Sequence, residues 1–255
     1  MSKAQARPGE VGPRPTRAMP DVGEDRSLLR LGAVSIVVGL VLQVVMGLLH
    51  PSRADPNDSA AAFAEYARSD AWTAVHMGQF IRTLLIVIGL VAVSRHLARQ
   101  VGGAGAAAVV AGLAAVLVAA VFAVQMAVDG VALKGAVDTW VGAAEADRQA
   151  AFLAAEAVRW TEKGLSAFFQ LLNGIALLTL GLAMVLGRLF PRWLGWVGVI
   201  AGLGALPGSV VVAYTGFSAT AALVLQPAAV LGAVFLIGTA VVMWRKGRAV
   251  TTGRV

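Results

Sequence analysis

The chain contains no cysteine in its 255 residues. That absence removes disulfide frameworks, thiol nucleophiles and thiolate metal sites together. Charge is scarce as well: 14% of residues are Asp, Glu, Lys or Arg, against roughly 25% in a soluble domain. With three histidines and two tyrosines, imidazole and phenol chemistry have few places to sit. No G-x-S-x-G, P-loop or H-E-x-x-H pattern is present, so the familiar signatures of α/β-hydrolases, nucleotide binders and zinc proteases are missing. No cofactor is expected.

What the sequence has in excess is apolar surface. Apolar residues make up 58% of the chain, and the mean hydropathy is +0.77. Six apolar runs are long enough for a hydrocarbon layer, which takes about 20 residues of helix. They cover residues 28–49, 73–94, 104–128, 165–187, 194–213 and 221–244. The first run is too long for a signal-peptide core and lacks a cleavage pattern, so it is read as a span. The expected fold is all-α, an integral membrane six-helix bundle occupying residues 28–245. Residues 1–27, with Pro8, Pro13, Pro15 and Pro20, predict a disordered cytoplasmic tail. Residues 246–255 form a second tail.

The net charge of +7 is distributed as a topology signal. Fourteen basic residues fall in the tails and in the turns after spans two and four, six fall in the opposite loops, and Arg82 lies inside a span. Ten of the fourteen acidic residues lie on the less basic side. The positive-inside rule then places both termini in the cytoplasm of a cell membrane. Trp72, Trp160, Trp193, Trp196 and Trp244 fall at span ends, as expected of indoles in the headgroup belts. Because the basic residues flank spans, they suit anionic membrane lipids and give no nucleic-acid-binding face.

Two extracytoplasmic loops are longer than the rest. In the first, Asn57-Asp58-Ser59 precedes Ala60-Ala61-Ala62-Phe63-Ala64-Glu65-Tyr66, a cap followed by a short helix. The second, Asp129 to Glu162, has Asp147 as a candidate cap and a helical pattern running into span four. Gly198 and Gly202 form a G-x-x-x-G pair, which predicts close helix packing.

Polar residues inside spans are costly, so they mark candidate sites. His76, Gln79 and Arg82 recur at intervals of three on span two, on one helical face. Arg82 lies roughly 10 Å below the expected outer boundary of its span. It either snorkels toward the headgroups or pairs with Asp129 or Glu162. On span four, Glu162, Ser166, Gln170 and Asn173 fall within an arc of about 80°. Gln43 and His50 share a face of span one, and Gln125 and Asp129 close span three. This polarity is lopsided toward spans one to four, while spans five and six read as packing.

The leading functional expectation is binding or transport of a small or lipid-like ligand, with an anionic group facing Arg82. Its pocket would open outward between spans one and four, from Arg82, Gln79, His76, Gln170, Asn173, Glu162, Asp129 and Gln43. The alternative is a structural or accessory membrane subunit in which these residues only join helices, each interhelical bond contributing about 0.6 kcal/mol. A third reading is a metal-dependent membrane hydrolase, with His50 and His76 as candidate ligands beside a carboxylate.

His50-Pro51, Trp72-x-x-x-His76 and Phe190-Pro191-Arg192-Trp193-Leu194-Gly195-Trp196 resemble segments of small multi-pass bacterial membrane proteins grouped as a domain of unknown function. The resemblance runs from Leu28 to Trp244. It implies a bacterial inner membrane and about six helices, and it carries over no catalytic or binding residue.

Overall fold

The computed structural model describes residues 22–248, which form eight α-helices and no strand among the described residues. Residues 1–21 and 249–255, the greater part of the two expected tails, lie outside the described residues. Six helices are long and apolar enough to cross a membrane. They are α1 (Val22–Leu49), α3 (Trp72–Leu97), α4 (Gly103–Ala127), α6 (Arg148–Leu186), α7 (Arg192–Thr215) and α8 (Ala219–Arg248), with the shorter α2 (Ser59–Ala67) and α5 (Lys134–Gly142) between them. The first helix begins at Val22, earlier than the apolar run that announced it. The polar residues before Leu28 therefore extend a span rather than belong to the tail.

The long helices pack in chain order, α1 on α3, α3 on α4, α4 on α6, α6 on α7 and α7 on α8, and α8 returns to α1. The result is a closed ring of six. Arg30 Nε donates to the Gly247 carbonyl at 2.8 Å, which joins the first and last helices where both tails emerge. This is the tail end; α2 and α5 sit at the other, the cap end. The main core fills the tail half, with Ile36, Val93, Leu97, Met184, Phe235 and Met243 fully or almost fully buried. On the outside, Val34, Val41, Val44, Leu113, Val230 and Ile237 are all exposed. An apolar exterior on this scale suits hydrocarbon surroundings and would be costly in water.

Glycine sets the tightest contact. A Cβ on Gly202 of α7 would lie 2.5 Å from the Leu178 backbone nitrogen of α6, and one on Gly181 would lie 2.6 Å from the Gly195 carbonyl oxygen. Backbone therefore meets backbone along α6 and α7, as the G-x-x-x-G spacing predicts for Gly202. Gly198 faces the Phe235 ring of α8 instead.

Two helical stretches are too long for the bilayer alone. Gly103–Gly142 runs for 40 residues and α6 for 39, or about 60 Å each at 1.5 Å per residue, against roughly 30 Å of hydrocarbon. Where the sequence predicts a loop from Asp129, the chain instead continues through a π turn, Val128–Leu133, into α5. The surplus lengths form a cap with its own small core of Phe63, Tyr66, Trp72, Leu133, Val137 and Ala155. Phe63 meets Trp140 and Phe152 edge-on, an arrangement worth about 0.5–1.5 kcal/mol per pair beyond burial. The Asp58 side chain caps α2 by accepting from the Ala61 N–H at 3.1 Å. Asp147 also occupies the cap position of α6, without a side-chain bond.

Candidate functional site

The candidate polar residues separate into two sites, one at the centre of the ring and one beneath the cap. The central site is a cavity of about 220 Å³ to which all six long helices contribute. Arg82, Gln43, Gln170 and Asn173 give it a polar side. Ala205 of α7 and Leu225, Ala228, Gly232 and Leu236 of α8 give it an apolar one. Spans five and six thus wall the pocket instead of merely packing behind it. The pocket is central to the ring, not confined between spans one and four.

Arg82 Nη1 donates to Gln43 Oε1 at 3.0 Å, and its guanidinium lies 5.5 Å from the centre of the Phe122 ring. It meets neither Asp129 nor Glu162. The reason is register: Asp129 lies opposite His76, and His76 precedes Arg82 by about 9 Å along α3. Gln43 and Ala229 both line the cavity and are exposed, so the cavity reaches the surface between α1 and α8. From Val41 to Leu49 no residue of α1 is buried. At the tail end the Arg30–Gly247 bond joins the two helices. Gln79 is half-buried and lines neither cavity; its carbonyl accepts from the Thr83 hydroxyl at 3.1 Å.

The second site is a cavity of about 310 Å³ lined by His50, Glu65, Tyr66, Asp129, Arg159 and Glu162, among others. Asp129 reaches it because the π turn directs its carboxylate toward α3. There His76 Nε2 lies 3.0 Å from Asp129 Oδ2, and His76 Nδ1 lies 2.7 Å from the Trp72 carbonyl oxygen. Two further bonds fasten α3 to the π turn: Trp72 Nε1 donates to the Asp129 carbonyl at 2.9 Å, and the Thr73 hydroxyl donates to the Gly130 carbonyl at 2.8 Å. On the opposite wall Arg159 pairs with Glu162 one turn on. Arg159 also donates to the Tyr66 hydroxyl at 3.0 Å and the Pro56 carbonyl at 3.2 Å. The Tyr66 and Phe217 rings lie 5.3 and 5.0 Å from its guanidinium carbon.

The cap environment shifts the groups that lie outside the long helices. Burial, and then the nearby His76, hold the His50 ring below the ordinary histidine value. Burial pushes the Tyr66 hydroxyl up to about 12. Glu65 is held below the usual carboxylate range, mainly by the Ala54 backbone N–H that donates to it at 2.9 Å.

His50 and His76 come together, with ring centroids 5.2 Å apart. Among the described residues, however, no group of three His, Asp or Glu side chains has the geometry to hold a metal ion. His76 Nδ1 faces the Trp72 carbonyl oxygen and Nε2 faces Asp129 Oδ2. His96 is at the tail end, 3.1 Å from Asp25. Tyr66, Arg159 and Phe217 complete the site without standing out in the sequence as polar residues of a span. Arg159 alone carried a readable signal: it precedes Glu162 by three residues on one helix, a spacing at which opposite charges meet.

These features define an all-α bundle with six helices able to span a membrane, a central polar cavity and a capped ionic cluster. No family model matches the chain, and no curated protein or solved structure is detectably similar to it.

Proposed function

We propose that the protein binds or transports an amphiphile with an anionic group, taking that group into the central cavity from the side between α1 and α8. The observation that carries this reading is the setting of Arg82. Its guanidinium lines a cavity with no carboxylate among the described lining residues, and its side-chain acceptor, Gln43, is neutral. A cation so placed favours an anion, and charge-assisted bonds to a guanidinium are the strong kind. Gln43, Gln170 and Asn173 can orient a headgroup, while the α8 wall suits a hydrocarbon chain. The distribution of Lys and Arg supports a tail end in the cytoplasm and a cap outside. An inner-membrane location, where anionic lipids are at hand, belongs to the same proposal.

The test compares retention of an anionic phospholipid with that of a zwitterionic one on purified protein, by native mass spectrometry. Hydrogen bonds to charged groups contribute about 1.5–3 kcal/mol. Arg82→Ala should therefore weaken retention of the anionic lipid by about 10- to 100-fold and leave the zwitterionic one unchanged. Equal retention by Arg82→Ala and the native protein would refute the reading.

A second reading has one observation in its favour, the Arg82–Gln43 bond itself, which joins α3 to α1. In a structural or accessory subunit that bond would be an end in itself. Gln170→Leu and Asn173→Leu would then impair folding or partner capture without any effect on lipid.

A further inference from the structure

We propose that the contact between His76 and Asp129 is a proton-binding site, holding one proton beyond the neutral imidazole and the ionised carboxylate, and opening to the cap cavity. Hydrogen-bond valence requires that proton. The Trp72 carbonyl oxygen can only accept, and it lies 2.7 Å from His76 Nδ1, so Nδ1 carries a hydrogen. A neutral ring with its hydrogen on Nδ1 presents a lone pair at Nε2. That lone pair would confront the Asp129 Oδ2 lone pairs across 3.0 Å. The contact is satisfied only when a further proton sits on it, on Nε2 or on Oδ2.

Burial makes this requirement strict. His76 is 1% exposed and Asp129 is 6% exposed, so solvent does not relieve a mismatched pair. The two side chains cannot easily part either. The Trp72 and Thr73 bonds to the π turn hold the backbones together, and a Cβ at Gly130 would lie 2.5 Å from the His76 Cβ. A π turn within a long helix is a frequent mark of a functional position, and here it is what brings Asp129 into line with the imidazole.

The surroundings provide a route for the proton. The other Asp129 oxygen, Oδ1, is buried without a hydrogen-bond partner, and Asp129 lines the cap cavity. Facing the pair are His50 after α1, Glu65 and Tyr66 on α2, and Arg159 with Glu162 on α6. Arg159 is itself paired with Glu162. The His50 ring is tilted against that of His76 at 5.2 Å and lines the same cavity. Proton occupancy would then regulate the junction between α4 and the cap without needing the lipid site.

The experiment uses the full chain in lipid nanodiscs with isotope-labelled histidine. There are three histidines, so His50→Gln and His96→Gln assign the ring-nitrogen NMR signals completely. Near neutral pH the expected spectrum has His76 Nδ1 protonated, with the further proton on Nε2 or, seen in the carboxyl carbon signal, on Asp129. Asp129→Asn should fold, because the amide can donate to a bare Nε2, and should convert that nitrogen to a plain acceptor. A native protein with bare Nε2 opposite ionised Asp129 overturns the proposal; so does an unchanged His76 spectrum in Asp129→Asn when the native signals place the proton on Nε2. Should Asp129→Asn fail to fold, the histidine and carboxyl signals of the native chain decide it alone.

Discussion

Arg159 and Glu162 are paired one turn apart on α6, at 4% and 2% exposure, and the same guanidinium reaches Tyr66 on α2 and the Pro56 carbonyl. One ion pair thus holds a membrane helix, the cap helix and the intervening loop. Removing one member of such a pair leaves a buried charge, at a cost of about 3–5 kcal/mol. Arg159→Met and Glu162→Leu should each destabilise on that scale. The double variant should lose clearly less than the sum. Unfolding in mixed micelles, arranged as a double-mutant cycle, measures the coupling, and additive losses would contradict this picture.

His50 gives the cap a dependence on acidity. Its folded value lies below the unfolded one because burial disfavours the charged ring. In the window between the two values the unfolded chain binds more protons, so stability rises with pH there. The His50 contribution should therefore be intact above about 6.5, the unperturbed histidine value, and fade as pH falls toward the folded value. Thermal melts from pH 7.5 to 5 should show the decline, and His50→Gln should flatten that part of the curve.

Two glycines should respond in opposite ways to a methyl group. A Cβ at Gly202 meets backbone atoms at 2.5 and 2.6 Å, which cannot yield without moving α6 away from α7. Gly202→Ala should cost about 1–3 kcal/mol, the usual penalty for overpacking. Gly47 has nothing within 4 Å of its Cβ position, and Gly47→Ala should be neutral or slightly stabilising. Paired melting curves suffice to compare them.

Loss of the α2 cap should be local. Asp58→Ala removes the acceptor for the Ala61 N–H and should destabilise α2 by about 1 kcal/mol. Hydrogen exchange should quicken through Ser59–Ala67 and leave the six long helices unchanged; uniform quickening would mean the cap and bundle unfold together.

Local features were legible from the residues, because they depend on near neighbours in the chain. The six long helices follow from uninterrupted apolar runs, and α2 follows from Asp58 ahead of an alanine-rich segment. Of the stripe Glu162, Ser166, Gln170 and Asn173, the last two line the central cavity and Glu162 the cap cavity, while Ser166 lines neither. What could not be read is which side chains meet across the bundle. Arg82 was a natural partner for Asp129 or Glu162 by charge alone. The offset between α3 and the π turn gives Asp129 to His76, and the fold of α2 over α6 brings Tyr66 to Arg159 across 93 positions of chain. The exposure of Gln43 and Ala229 beside the central cavity likewise has no counterpart in hydropathy.

The unbroken course of α6 makes it an angular ruler as well as a strut. Glu162 under the cap and Asn173 in the central cavity are eleven residues apart, within about 20° of three full turns and about 16 Å along the axis. Inserting one residue between them, for example after Ala167, would turn one site by about 100° relative to the other. The chain can therefore gain or lose length in this stretch only in steps of about a whole turn. The loop before Asp58 is under no such rule of phase.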